Sequence, residues 1–189
     1  GPAKSGTRSM LFYYHSLALA SDDTPHISYI YGRQDSEAQL YHATLVDDKW
    51  ETSALDGQGM GSYSSLALDS QDRPHISYHD HVNGNLKYAR WDGSQWQIET
   101  VDSTGIVGQF TSLALDTKDQ PHISYIDATN GRLKYAFWDG SQWQIEIIDD
   151  SGDVWRWTSL ALDDSDFAHI VYRRRYELRY ATNSGVTSK

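Results

Sequence analysis

Hydrophobic and polar residues alternate in short runs along this chain, and the runs recur at a nearly fixed interval. The run SLAL begins at Ser16, Ser65, Ser112 and Ser159, which gives spacings of 49, 47 and 47 residues. Alternation with a period of two residues predicts strands. A repeat of 20 to 50 residues is typical of folds built from stacked identical units. We therefore expect an all-β repeat protein.

A complete repeat contains four such runs, and each run is predicted to be a strand. After SLAL comes PHISY at residues 25–29, 74–78 and 121–125, or AHIVY at 168–172, and then LKYA or a variant at 40–43, 86–89, 133–136 and 178–181. WDGSQWQIE ends two repeats, at 91–99 and 138–146. Its Asp-Gly pair is a hairpin signal, because glycine readily adopts the positive φ of a tight turn. Each unit is therefore predicted to be a four-stranded antiparallel blade.

Four blades of about 47 residues predict a β-propeller forming a single domain over residues 1–189. We place the repeats at about residues 11–59, 60–107, 108–154 and 155–189. The fourth repeat ends after its third strand, and residues 10–14 (MLFYY) are the candidate for its missing outer strand. Two alternatives stay open, namely half of an eight-bladed ring made by two chains, and a fragment of a larger propeller.

Charge and composition exclude several classes of function. The formal net charge is −10, with 26 acidic and 16 basic residues, which argues against a nucleic-acid partner. No apolar run approaches the roughly 20 residues of a membrane span, so membrane insertion is not expected. The chain has no cysteine, which excludes disulfides, thiolate zinc sites and cysteine nucleophiles.

The combination of PHISY, NG-LKYA and WDG-W resembles propeller repeats of predicted secreted or surface proteins of bacteria and archaea. These repeats are distantly similar to sialidase-type repeats. The likeness covers residues 16–181, and it implies the propeller fold and an extracellular or cell-surface location, but no particular activity. The sialidase Asp-box has one residue between its Asp and Gly, whereas Asp92 and Gly93 are adjacent here.

Polar residues that recur in every repeat are predicted to be structural. His26, His75, His122 and His169 occupy one position of each repeat, and a ring of four histidines around a metal is the alternative. We expect these histidines to bond a neighbouring blade, with Ser28, Ser77 and Ser124 in the same network, because buried polar groups are normally paired. The acidic pairs 69/72, 116/119 and 163/166 are expected to bond turn amides rather than calcium. No cofactor and no metal are therefore expected.

Departures from the repeat indicate where a ligand would bind. The loops between second and third strands, and those between blades, vary and open on the same face of a propeller, where a rigid scaffold often mounts binding groups. Three groups on that face are the candidate ligand-binding residues: Trp155, Arg156 and Trp157; His79, Asp80 and His81; and Arg173, Arg174 and Arg175.

The three groups differ in chemistry. The first combines two aromatic rings with a cation, which suits a sugar or a protein contact, although Trp157 takes the position of Tyr63 and Phe110 and is expected in the core. The second offers hydrogen-bonding groups. The third suits a carboxylate or sulfate, and a solvated loop is its alternative.

Three functions follow from these patterns, in order of preference. The first is a non-catalytic module that binds a glycan or a protein on the variable loop face. The second is a polysaccharide hydrolase or lyase, which requires two carboxylates or a His–Tyr pair in the central opening. The third is an assembly unit whose half-rings pair as a homodimer. The sequence has no nucleophile elbow, P-loop or HExxH motif, so no catalytic residue is assigned.

Overall fold

The computed structural model describes residues 15–31, 39–55 and 61–183, and these residues form fifteen β-strands and no helix. The strands are β1 (Ser16–Leu19), β2 (Pro25–Tyr31), β3 (Gln39–Val46), β4 (Lys49–Ala54), β5 (Gly61–Leu68), β6 (Pro74–Asp80), β7 (Asn85–Trp91), β8 (Trp96–Asp102), β9 (Val107–Leu115), β10 (Pro121–Asp127), β11 (Arg132–Trp138), β12 (Trp143–Asp149), β13 (Val154–Leu162), β14 (Ala168–Arg174) and β15 (Glu177–Thr182). In the described part of the chain no helix is long and apolar enough to cross a bilayer.

The strands form four antiparallel sheets, each made of strands that are consecutive in the chain. Blade 1 is β1–β4, blade 2 is β5–β8, blade 3 is β9–β12, and blade 4 is the three-stranded sheet β13–β15. The predicted all-β propeller is therefore confirmed. Residues 10–14, the predicted outer strand of blade 4, lie outside the described residues, so that part of the prediction remains a prediction.

The hydrophobic core lies between the blades. Three clusters of buried residues each combine two neighbouring blades. At the junction of blades 2 and 3, for example, Leu86 and Tyr88 of blade 2 pack with Leu113, Ile123 and Tyr125 of blade 3. Strands β6 and β10 are buried on both faces because each is covered by a blade on either side. The stacking of blades therefore stabilises the fold.

Hydroxyl groups on the inner strands link consecutive blades. Ser77 Oγ lies 2.8 Å from Thr111 Oγ1 of the next blade, and Leu113 donates its backbone N–H to Ser65 Oγ at 3.0 Å. The same two bonds occur at the other two junctions. The prediction that the repeated serines join an inter-blade network is confirmed.

An aspartate in the first turn of a blade adds a third inter-blade contact. Asp119 has a φ of 62° and accepts the backbone N–H of Ser70 at 2.9 Å and its hydroxyl at 2.6 Å. Asp72 and Asp166 do the same at their junctions. The first aspartate of each acidic pair instead bonds amides of its own turn, as Asp69 does with the N–H groups of residues 71 and 73. The predicted turn chemistry is confirmed for that half of each pair.

The repeated histidines bond within their own blades, which differs from the prediction. His75 and His122 bond the hydroxyls of Tyr88 and Tyr135, each on the neighbouring strand of the same sheet, and His26 bonds His42 at 3.0 Å. Their side chains lie against the neighbouring strand of the same sheet, so they do not reach across a junction. The described residues contain no cluster of acidic or histidine side chains that could hold a metal ion.

A bulge in the first strand of blades 2, 3 and 4 carries one aromatic residue each, and the three side chains meet across the junctions. Tyr63, Phe110 and Trp157 all have a positive φ, between 52° and 59°. Their rings form a row, with centroids 4.4 Å and 5.3 Å apart. The expectation that Trp157 lies in the core is wrong, because its ring is the last of this row among the described residues and is 58% exposed.

Candidate functional site

Four of the predicted ligand-binding residues lie together on blade 4. Trp155 and Arg156 come from β13, Arg173 from β14, and Arg175 from the turn that follows it. With Asp153 they line a cavity of about 170 Å³. We call these five residues the loop-face site, because the β14–β15 loop emerges at this end of the blade.

The loop-face site carries an excess of positive charge. Arg175 Nε lies 2.9 Å from Asp153 Oδ1, and the Arg175 carbonyl accepts a hydrogen bond from Arg173 Nε at 2.8 Å. Arg156 and Arg173 are cross-strand partners, and like charges in that position repel each other. A carboxylate or sulfate group would relieve this repulsion.

The remaining predicted residues do not join this site. His79 and Asp80 are buried in blade 2. His79 Nδ1 bonds the Val107 carbonyl of blade 3 at 2.7 Å, and Asp80 accepts hydrogen bonds from the amides of Val82 and Asn83. Burial lowers the pKa of His79. For Asp80 burial alone would raise the pKa, but the hydrogen bonds outweigh it and the pKa is lowered. Both residues therefore hold the fold together.

His81 and Arg174 also lie away from the loop-face cavity. His81 is exposed beside His79, with ring centroids 5.9 Å apart. Arg174 points to Asp149 at 3.9 Å, and that carboxylate also accepts the hydroxyl of Tyr172 at 2.9 Å. Arg174 thus contributes to the junction between blades 3 and 4.

Two larger pockets lie on the opposite face, where no ligand-binding residue was predicted from the sequence. Each opens between neighbouring blades beside the first and last hairpin turns of the later blade. The blade 1–2 pocket has a volume of about 440 Å³ and is lined by His26, His42, Thr44, Glu51, Thr52, Ser53, Asp72, Arg73, Pro74, Trp91, Gly93 and Trp96. The blade 2–3 pocket has about 450 Å³ and is lined by Asp69, Arg73, His75, Tyr88, Arg90, Trp91, Glu99, Lys118, Asp119, Gln120, Pro121, Trp138 and Gly140.

Two neighbouring strands of blade 2 supply charged groups to the blade 2–3 pocket. Tyr88 and Arg90 are two residues apart on β7 and therefore share a face, and Glu99 on β8 is the cross-strand partner of Tyr88. Arg90 and Glu99 are both exposed to the pocket opening. One wall therefore presents a hydrogen-bond donor and an acceptor side by side.

The ring of Trp138 lines the pocket on the blade 3 side. Trp138 precedes the β11–β12 turn and packs edge-on against Trp143, with centroids 5.8 Å apart. Trp143 in turn packs edge-on against Tyr88 of blade 2 at 5.3 Å. This chain of rings crosses the junction and fixes the position of Trp138 relative to the polar wall.

The blade 1–2 pocket has the same plan with different groups. Trp96 donates its indole N–H to Ser53 Oγ at 3.2 Å, and its ring lies 5.4 Å from that of His42. Burial, and then the charge of His26, lower the pKa of His42 to about 4. His42 is therefore neutral at physiological pH. The blade 1 wall of this pocket consequently carries less charge than the blade 2 wall of the blade 2–3 pocket.

Carboxyl groups around the pockets are stabilised in their charged form. Hydrogen bonds from Gln97 and from backbone amides lower the pKa of Asp92. Burial would raise the pKa of Asp69, but hydrogen bonds from Arg73 and Gln71 outweigh it. Wherever a shift is resolved for a described carboxyl group, the pKa is lowered. An acid held protonated near neutral pH is therefore not found among these groups.

Comparison with known proteins shows the fold alone. No family model matches the chain, and no curated protein is similar to it. Among solved structures, a fucose lectin from Kordia zhangzhouensis in complex with methyl-fucoside is 20% identical with a TM-score of 0.50, over 70% of this chain and 96% of that one. AofleA from Arthrobotrys oligospora is 12% identical with a TM-score of 0.65, over 90% of this chain and 53% of that one.

The fold of this chain is also similar to that of an enzyme. The α-L-arabinofuranosidase PaAbf62A from Podospora anserina, in complex with cellotriose, is 14% identical with a TM-score of 0.58, over 96% of this chain and 66% of that one. The chain thus spans about half of AofleA and two thirds of the arabinofuranosidase. These identities are too low to carry over a function, so any function must be argued from this chain's own pockets.

Proposed function

We propose that this protein is a non-catalytic glycan-binding propeller and that the blade 2–3 pocket holds the saccharide. One observation carries the proposal, which is that Trp138 faces Arg90 and Glu99 across a pocket of about 450 Å³. That volume lies within the usual range for small-ligand sites. The resemblance of the repeats and the neighbouring lectin and glycosidase structures support an extracellular location as part of the same proposal.

The chemistry of this pocket suits a sugar ring. A pyranose has one face of C–H groups that packs on an indole, and a rim of hydroxyls that both donate and accept hydrogen bonds. Trp138 offers the apolar surface together with a polar edge. Arg90 is a fixed donor and Glu99 an acceptor, and hydrogen bonds to charged groups are stronger than those between neutral groups. A purely apolar or purely anionic ligand would use only part of this set.

The geometry favours binding over catalysis. A glycosidase needs one carboxylic acid with a raised pKa beside a second, ionised carboxylate. In every described carboxyl group for which a shift is resolved, the pKa is lowered and not raised. His–Tyr pairs do exist, as in His75 with Tyr88, but the same pair recurs as His122 with Tyr135, and burial raises the pKa of both tyrosines. A repeated buried pair of this kind fits a structural role better than a catalytic one.

The loop-face site is a second location for the same function. Its support is the unrelieved repulsion between Arg156 and Arg173 beside the half-exposed ring of Trp155. That arrangement would favour an acidic sugar rather than a neutral one. We place it second because its cavity, at about 170 Å³, is less than half the volume of either inter-blade pocket.

A matched pair of tryptophan variants distinguishes the two locations. A glycan array would be probed at two concentrations with the unchanged protein and with the variants Trp138→Ala and Trp155→Ala. The affinity of each protein for the best ligand would then be measured by calorimetry. We expect Trp138→Ala to weaken binding at least tenfold and Trp155→Ala to leave it unchanged. Arg90→Gln should weaken binding by a similar factor without changing the thermal midpoint.

Other results would redirect or refute the proposal. Loss of binding only in Trp155→Ala would move the site to the loop face. Binding to no glycan, or equal binding by all variants, would refute glycan recognition at these pockets. Release of reducing sugar or of an unsaturated product from the bound polysaccharide would refute the non-catalytic assignment.

A further inference from the structure

Blade 1 presents an uncovered apolar face to solvent. Leu17 is 62% exposed, although its counterparts in the other three blades are buried within the junction clusters at 6 to 8%. Leu19 and Trp50 are exposed on the same face. In blades 2 and 3 the tryptophans that correspond to Trp50 pack onto the preceding blade. Blade 1 therefore carries the later half of a junction and lacks the earlier half.

Blade 4 presents the opposite half. Leu178 is 79% exposed, whereas the corresponding leucines of blades 1 to 3 are fully buried. Tyr180 is exposed too, although its counterparts Tyr88 and Tyr135 are buried against the following blade. Val171 is exposed at the position where the other blades carry the junction serine. Blade 4 therefore carries the earlier half of a junction and lacks the later half.

The polar groups of the two faces also correspond, with donors and acceptors on the same sides as at the internal junctions. At every described junction, a leucine N–H of the later blade donates to a serine hydroxyl of the earlier one. Leu17 and Ser159 hold these two positions at the two ends. Asp23, with a φ of 67°, holds the position of the aspartates that accept a backbone N–H from the preceding blade, and Asp164 holds the position of the residue that donates it.

We propose that a second copy of this chain covers these faces, with blade 4 of each copy docking on blade 1 of the other to give a closed pair. The two faces are the halves of a contact that the chain already makes three times within itself. Because both are exposed in one chain, they do not cover each other there. The best-fitting surface for each is therefore the other end of another copy, and two such head-to-tail contacts related by a twofold axis close a ring.

The end junction is weaker than the internal ones, which makes the association reversible. Val171 replaces the serine hydroxyl, and Asp164 replaces the hydroxyl residue that bonds the turn aspartate. Asp164 also brings a carboxylate towards Asp23. The hydrogen bond at Val171 is thus lost, and the contact between Asp164 and Asp23 is weakened by repulsion. The apolar contacts remain, as does the hydrogen bond from the Leu17 N–H to the Ser159 hydroxyl.

The association is tested by sedimentation equilibrium over a range of concentrations up to about a millimolar. We expect a transition from one chain to two, with no larger species. Leu17→Arg and Leu178→Arg should each weaken it at least tenfold, and Val82→Arg, an exposed loop position of blade 2, should leave it unchanged. Asp164→Ser should strengthen it severalfold, because it restores the missing hydroxyl and removes the repulsion.

Mixing the two defective variants tests the head-to-tail arrangement. Leu17→Arg keeps an intact blade 4 face, and Leu178→Arg keeps an intact blade 1 face. A mixed pair therefore has one intact contact, whereas a pair of either variant alone has none, so the mixture should pair more tightly than either variant by itself. A monomer throughout, pairing that Val82→Arg weakens equally, a mixture that pairs no more tightly than the separate variants, or assemblies that grow without limit would each overturn the proposal. None of these outcomes depends on whether a glycan binds.

Discussion

Replacing Thr111 with valine removes one hydroxyl from the junction of blades 2 and 3 and leaves its partner unpaired. Thr111 Oγ1 lies 2.8 Å from Ser77 Oγ, and Ser77 has no exposed surface. Valine has nearly the same volume as threonine, so no cavity forms. The expected cost is therefore the desolvation of a buried, unpaired hydroxyl, about 1–3 kcal/mol of the free energy of unfolding.

The double variant shows whether the two hydroxyls act together. Ser77→Ala alone leaves Thr111 unpaired and should cost a similar amount. When both residues are replaced, no unpaired hydroxyl remains, and removing both partners of a buried hydrogen bond is often nearly neutral. The double variant should therefore cost less than the sum of the single variants by at least about 1 kcal/mol.

The measurement is urea unfolding followed by far-ultraviolet circular dichroism, with the slope against urea held common to all variants. Thr100→Val, at an exposed position of β8, is the matched control and should change the free energy by less than about 0.5 kcal/mol. If the double variant costs the full sum, or if Thr111→Val costs no more than Thr100→Val, the inter-blade hydroxyl pair does not stabilise the fold.

Two further changes test other parts of the blades. Burial and the charge of His26 lower the pKa of His42 to about 4, so the unfolded chain takes up a proton at mildly acid pH that the folded chain does not. The free energy of unfolding is therefore unaffected by this group above about pH 6.5. It decreases as the pH falls towards 4, and the loss is about 2 kcal/mol at pH 5. His42→Tyr, which introduces the residue of the other blades, should reduce the drop in thermal midpoint between pH 7 and pH 5, and an unchanged drop would contradict the assignment. Gly108→Ala should lower the free energy of unfolding more than Gly93→Ala. Both glycines have a positive φ, which costs about 1–2 kcal/mol for alanine, but only at Gly108 would the added Cβ meet backbone, 2.8 Å from Leu86 Cα; equal losses in urea unfolding would contradict this.

The blades could be predicted from the sequence because their signal is local and repeated. SLAL, PHISY and LKYA alternate with the period of a strand, and the Asp-Gly turns mark the hairpins. Asp92 confirms the last point, since one of its oxygens accepts the backbone N–H groups of Ser94 and Gln95. The repeat also predicted that the junction serines are structural, because a polar residue that recurs at one position of several blades is most simply explained by a role in the scaffold.

The inter-blade pockets could not be found in the same way. Arg90 and Trp138 are 48 residues apart and meet only because blades 2 and 3 stack at this angle. The turns that border the pocket are short and uniform, so the search for variable loops pointed to the opposite face. One signal was present, since Arg90 stands on a strand where the neighbouring repeats carry Thr44 and Phe137. A departure within a strand therefore deserved the same weight as a departure within a loop.

The errors about His75 and Trp157 have a common physical origin. Sequence spacing places a residue on a strand but does not say which neighbour its side chain reaches. His75 bonds Tyr88 in its own sheet because the cross-strand neighbour is nearer than the next blade. Trp157 has the position of a core residue, but a side chain at that position is covered only when another blade follows.

The stability of this protein and the glycan binding that we propose both depend on the junction between blades. A single blade has no closed core and neither of the two larger pockets, because each hydrophobic cluster and each of these pockets takes residues from two neighbouring blades. Stability in such folds is approximately the sum of the units and of the interfaces between nearest neighbours. A change that loosens the junction of blades 2 and 3, such as Thr111→Val, is therefore also expected to alter the spacing of Trp138 and Arg90. The same dependence explains why the exposed apolar side chains on the terminal blades are the ones whose counterparts are buried elsewhere. These side chains lack a neighbouring blade, and their sequence still has the pattern of a covered face.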